Sequence, residues 1–231
     1  MKEHSMIAKS IARMIRNGIK LSEIAVFFYT EADAQEARQA LKDELRQGLP
    51  IPMVTTYEGF ERGLVTSEWK ALGFKKEPVL LCDIERCVVI AETLNDGTDW
   101  RAELGTQDVV RVVSDAFAGI RYARKNGTDP VREVFRAAGR KCSEETAAKL
   151  IALYDKYDVR MKREGLLTRG DLRYYADRVL DAHPGYVKEH YGIGHVVADF
   201  RSITCGQYEL LEKLGSHLIP IIDSSEKSFA C

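Results

Sequence analysis

Between about Asp83 and His190 the chain carries one helical stripe after another and almost no strand signal, while the residues on either side alternate strand and helix. No other feature of the sequence constrains the fold as strongly. Strands separated by so long a helical block can share one sheet only if the block is an insertion. Ahead of it, Ile7, Ile11, Met14 and Ile15 make a helical stripe that Asn17-Gly18 stops. IAVFFYT (24–30) reads as a buried strand. EADAQEARQALKDELRQG (31–48) reads as an amphipathic helix with Ala34, Ala37, Leu41 and Leu45 inward. PMVTTYEGF (52–60) gives a short strand and then a turn or helix start. Behind the block, GHVVADF is a strand, QYELLEKLG a short helix and HLIPIID (217–223) a further strand.

Within the block the stripes run Ile84–Leu94, Gln107–Lys125, Val131–Ala138, Glu144–Glu164 and Gly170–Ala182. Breaks fall at Asn95-Asp96-Gly97, Asn126-Gly127, Gly139 and His183-Pro184-Gly185. Ser143, followed by Glu144 and Glu145, has the look of an N-terminal cap with early acids. The expected architecture is therefore an α/β core with a parallel sheet, formed by residues 1–82 and 191–231, interrupted by an all-helical subdomain at 83–190.

Bulk properties narrow the function. With 231 residues and a formal charge of -1, no global basic field advertises nucleic acid. No apolar run approaches the ~20 residues that cross a bilayer, so no membrane association is expected. The N-terminus lacks a signal-peptide core. Cys82, Cys87, Cys142, Cys205 and Cys231 are odd in number and form no CxxC pair, which suits a reducing, cytoplasmic setting. His183, His190 and His195 have no ligand spacing with Cys or Glu, so no metal site is expected. A nucleophile at Cys205 or Ser202 beside His195 has only nearness in sequence to support it.

The ordered landmarks resemble the first motor domain of UvrD/Rep-type superfamily 1 DNA helicases. IAVFFYTEADAQEARQAL is similar to that family's strand, its Thr-Phe-Thr-Asn-Lys-Ala-Ala turn and the following helix. VTTYEGFERGL resembles its Thr-Phe-His-Ser-Phe segment, and ALGFKKEPVLLCDIERCVVI (71–90) the passage into its helical insertion. GLLTRGDLRYYADRVL resembles the helix closing that insertion, and YGIGHVVADFRSITCGQYELLEKLGSH the magnesium-binding strand and the next helix. IIDSSEKSFAC (221–231) is similar to the Gly-Asp-x-x-Gln-Ser-Ile-Tyr segment. The resemblance implies an incomplete RecA-like (P-loop NTPase-type) sheet. Such a sheet holds the strand preceding the phosphate loop between other strands, so either the remaining strands pair differently, or a partner supplies a strand, or the chain is a piece of a longer or split protein.

The resemblance also says where chemistry is expected and where it is missing. Counting back from Thr30, the phosphate-cradling loop would fall at residues 1–4, which read Met-Lys-Glu-His and lack its glycines. Asp199 keeps the magnesium position, but Phe200 replaces the catalytic Glu, and a phenyl ring cannot take a proton from water. Ser202 and Ile203 stand where the family has Gln and Asp, and Lys227 where it has the Gln that contacts the γ-phosphate. Asp199 and Lys227 are thus remnants of a nucleotide and magnesium site, and no residue is assigned a catalytic role. The second motor domain, with its arginine finger, is not among these residues. ATP and magnesium are expected only if a partner completes the site.

Thr30, Thr56, Tyr57 and Phe60 are the DNA-binding candidates implied by the resemblance: Thr30 for a phosphate, Tyr57 for stacking on a base, Phe60 on the same segment. Glu31 and Ala32 replace the family's Asn and Lys, which puts negative charge beside the phosphate path. Arg121, Arg124, Lys125, Arg132, Arg136, Arg140 and Lys141 form a basic stretch in the insertion, a solvated face or a surface for nucleic acid or an acidic partner. The expected role is binding, of single-stranded DNA or of a protein partner such as a complete helicase. The alternative is one piece of a split ATP-dependent DNA helicase whose partner brings the phosphate loop and the second motor domain.

Overall fold

The computed structural model describes residues 2–45, 50–138, 142–199, 203–214 and 217–221. The chain divides into two compact units, one of residues 1–64 with 177–231 and the other of residues 65–176. The divisions fall inside two helices, α3 (Tyr57–Glu68) and α9 (Arg169–Ala182), earlier in the chain than the breaks in sequence pattern.

The first unit is built on β1 (Ile24–Phe28), whose five residues are all buried. A continuous apolar run suits a parallel strand covered on both faces, and IAVFF supplies one. Ile24, Val26 and Phe28 point to one face, where α1 (Lys2–Arg16) and α2 (Glu31–Glu44) cover them with Ile7, Ala8, Ile11, Ala34, Ala37 and Leu41. Phe27 points the other way. Its ring centroid lies 5.6 Å from that of Tyr57 and 5.2 Å from that of Phe60, the latter edge-on.

Four parallel strands make the sheet, in the order β2 (Met53–Thr56), β1, β5 (His195–Asp199), β6 (His217–Ile221). β5 pairs with β6 over five residues, from His195 opposite His217 to Asp199 opposite Ile221. The four strands are hydrogen-bonded one to the next with no gap between them. This is an incomplete RecA-like core, with four strands among the described residues. α10 (Tyr186–Tyr191) and α11 (Cys205–Leu214) complete the unit. Lys213 on α11 reaches Asp177 at 3.3 Å and Asp181 at 2.6 Å. The Asp177 carboxylate is fully buried, so this pair matches a charge that would be costly alone.

The second unit is helical: α4 (Asp83–Thr93), α5 (Trp100–Leu104), α6 (Val109–Asn126), α7 (Pro130–Ala138), α8 (Glu144–Glu164) and the start of α9. Ser143 caps α8 by accepting the Thr146 N–H at 3.0 Å. Gly165 closes α8 at φ 65°, where a Cβ would sit 3.1 Å from the Glu77 carbonyl oxygen. Val113, Phe117, Ile120, Leu150, Leu153, Tyr154 and Tyr157 form the core. A two-residue parallel pair, β3 (Val79–Leu80) with β4 (Leu166–Leu167), ties the two ends of the unit together and has no counterpart in the sequence reading. Two residues are too few to show a period.

Two outcomes follow from this packing. Phe27→Ala empties the centre of the aromatic face and is expected to cost about 3–5 kcal/mol, read from the shift in urea midpoint. Burial pushes the phenols of Tyr154, Tyr157 and Tyr175 far above their ordinary value of about 10. The unfolded chain then loses protons that the folded chain keeps, so stability is full below that ordinary value and falls as pH rises past it. Tyrosinate absorbance should therefore rise together with loss of helical circular dichroism. Independent titration of all the tyrosines in a chain that stays helical would contradict the packing.

Candidate nucleotide and DNA edge of the sheet

In open parallel sheets, ligands sit outside the carboxyl ends of the strands, where the strand order reverses direction. Here the reversal lies between β1 and β5: the chain leaves β1 for β2 on one side and leaves β5 for β6 on the other. Thr30 follows β1, Thr56 ends β2 and Asp199 ends β5, so the structure brings three of the candidate positions to one edge. Lys227 lies outside the described residues, as do Phe200 and Ser202.

Thr30 is the N-cap of α2. Its hydroxyl oxygen accepts the Asp33 N–H at 3.1 Å, and its O–H donates to Asp33 Oδ2 at 2.5 Å. Both hydrogen-bonding roles of the hydroxyl are thus used within the turn. Glu31 and Asp33 lie in the first turn, so the positive end of the α2 dipole is already answered by acids. Arg38 turns away from the edge: it donates to Glu31 at 2.6 Å and twice to the Val54 carbonyl, at 2.8 and 3.2 Å, fastening α2 to β2.

Thr56 caps the start of α3, where its hydroxyl accepts the Gly59 N–H at 3.0 Å. Gly59 is there because of crowding: a Cβ would come within 3.0 Å of both the Thr55 and Thr56 hydroxyl oxygens. The same tight start turns Tyr57 and Phe60 inward. They are 3% and 4% exposed, with Phe60 also 5.7 Å from the Tyr191 ring, so neither offers an open ring face to a base.

Residues 2–4, within the stretch expected to hold the phosphate loop, are the first turn of α1. His4 is buried there, its ring 5.8 Å from Phe28. Its Nδ1 lies 3.2 Å from Glu36 and its Nε2 3.7 Å from Asp33, neither with hydrogen-bond geometry. Sequence reasoning missed His4, Arg38 and Gly59. Only Gly59 carried a local signal, as a glycine three residues past the end of a strand.

In the helical unit the basic stretch is mostly engaged. Arg121 is buried against Asp171, Arg124 pairs with Asp155 at 2.7 Å over the Tyr154 ring, and Arg136 pairs with Glu133 at 2.7 Å. Arg140 and Lys141 lie outside the described residues. Among the described residues, no three His, Cys, Asp or Glu side chains gather to hold a metal, and no helix is long and apolar enough to cross a membrane.

The capping role of Thr30 is directly testable. Thr30→Ala is expected to lower stability by about 0.5–2 kcal/mol, while Thr30→Ser keeps most of it. Equal urea midpoints for the alanine variant and the parent would remove Thr30 from this role.

A family model described as the UvrD/REP helicase N-terminal domain matches residues 4–220. No curated protein matches the chain.

Proposed function

Since the chain belongs to the UvrD/REP helicase N-terminal domain family, we propose that it is a helicase relative that does not hydrolyse ATP by itself and acts by binding a partner. The observation that carries this reading is that residues 2–4, where the phosphate loop would fall, are the first turn of α1. A nucleotide site of this family needs a glycine-rich loop with Lys and a hydroxyl on the phosphates and magnesium. The described residues do not fit that group: residues 2–4 are helix, and the sequence after Asp199 is Phe. Positioning and charge stabilisation supply nearly all of phosphoryl-transfer catalysis, and both are weakened here.

Of the two binding roles, a protein partner is favoured over single-stranded DNA. The stacking candidates Tyr57 and Phe60 are interior, Thr30 is spent on its cap, and acids crowd the α2 start. By contrast, α4 turns Ile84 and Val88 to solvent at 77% and 50% exposure, along a groove of about 600 Å³ shared with Val110 of α6.

Purified chain assayed with ATP, magnesium and single-stranded DNA is expected to show no DNA-stimulated phosphate release, and stimulated release would overturn the proposal. Anisotropy of a labelled oligonucleotide is expected to show weak, salt-sensitive binding that Tyr57→Ala does not specifically weaken. Tight binding lost in that variant, with its fold intact by circular dichroism, would restore the DNA role.

A further inference from the structure

The helical unit encloses a cavity of about 120 Å³ between α4, α6, α8 and the start of α9. Its lining includes Arg86, Ser114, Asp115, Arg121, Thr168 and Gly170. Arginine has five N–H donors and no acceptor. The Nε of Arg86 is buried and has no hydrogen-bond partner, and the nearest carboxylate oxygen to this guanidinium, on Asp83, is 3.8 Å from Nη2. A buried donor left unmatched is costly, so this one calls for an acceptor.

The surroundings say which kind. Arg121 pairs with Asp171 at the cavity wall, so a second guanidinium is fixed there. Thr168 and Asp171 cap α9 reciprocally: the Thr168 N–H donates to Asp171 Oδ2 at 3.0 Å, and the Asp171 N–H donates to Thr168 Oγ1 at 3.2 Å. Gly170, in the first turn of α9, brings its backbone to the lining; a Cβ there would lie 3.3 Å from Arg121 Nη1. Asp171 already answers the α9 start, so the donors left for a ligand are Arg86 Nε and the Ser114 hydroxyl, which can donate. Asp115 opposes this, but its Oδ2 lies 3.6 Å from Arg111 Nη1 on the same helix. Drug-sized pockets begin near ~300 Å³, so the cavity is too small for a nucleotide.

We propose that this cavity binds a tetrahedral oxyanion, as free phosphate or as a terminal phosphate ester, through Arg86 Nε and the Ser114 hydroxyl beside the Arg121–Asp171 pair. The proposal stands apart from the loss of ATP hydrolysis and survives either outcome of that assay.

The test follows the Arg86 Nε–H resonance by NMR as inorganic phosphate is added, against chloride at equal ionic strength. A saturable shift is expected with phosphate alone. Arg86→Gln is expected to weaken phosphate binding about tenfold and Ser114→Ala by less, with helical content unchanged. Arg86 is partly exposed, so its replacement leaves the core intact. An Arg86 signal that ignores phosphate, or equal binding by Arg86→Gln, would overturn the proposal and leave water in the cavity. Two oligonucleotides, with and without a terminal phosphate, separate the sources. Tighter binding of the phosphorylated one that Arg86→Gln abolishes assigns the ester, and equal binding beside a phosphate response assigns the free anion.

Discussion

Backbone hydrogen bonds between parallel strands hold the first unit together. Every buried N–H and C=O needs a partner, and β1, buried at all five residues, finds its partners in β2 on one side and β5 on the other. The pairing of His195–Asp199 with His217–Ile221 extends the sheet with no bulge in the register. The carboxyl ends of β1, β2 and β5 thereby share one edge, where Thr30, Thr56 and Asp199 stand.

The other half of the first unit shows why Tyr57 and Phe60 are interior. α3 begins at the residue after β2, with no intervening loop. A helix started so abruptly sets Tyr57 and Phe60 on the turn facing the sheet, against Phe27. Phe27 in contact with both Tyr57 and Phe60, the latter edge-on, buries far more apolar area than a base stacked on one exposed ring would. The core has taken up these side chains.

Much of this fold could be read from the sequence because its signals were local. IAVFF is apolar at every position, Ser143 sits ahead of two acids, and the helical stripes of α6 and α8 hold for several turns. The placement of Thr30, Thr56 and Asp199 on one edge was legible too, since each ends or follows a strand and parallel strands share their carboxyl edge. What was not legible depended on partners far away in the chain. Arg121 read as one of seven basic residues on a surface, yet Asp171, fifty residues on, draws it inside. Burial works against the charged guanidinium there, and Asp171 together with Tyr154, Tyr157 and Tyr175 outweighs it. No charge pattern within a helix reports such a partner. Tyr57 and Phe60 were ambiguous for the same reason: the same residue types build a stacking platform or a core, and only Phe27 decides.

The Arg121–Asp171 pair also explains how the helical unit keeps a polar interior without losing definition. Asp171 serves two masters: one oxygen pairs with Arg121, and the other accepts from both the N–H and the O–H of Thr168. The start of α9 is thereby locked to α6 through a single carboxylate. A buried ion pair of this kind contributes little net stability over an apolar replacement, but removing one partner strands the other charge. It therefore fixes an arrangement more than it strengthens one. The arrangement it fixes holds the first turn of α9 beside Arg86, whose buried Nε faces no acceptor from the chain itself. A buried donor without an acceptor marks where the helical insertion is built to meet something other than itself.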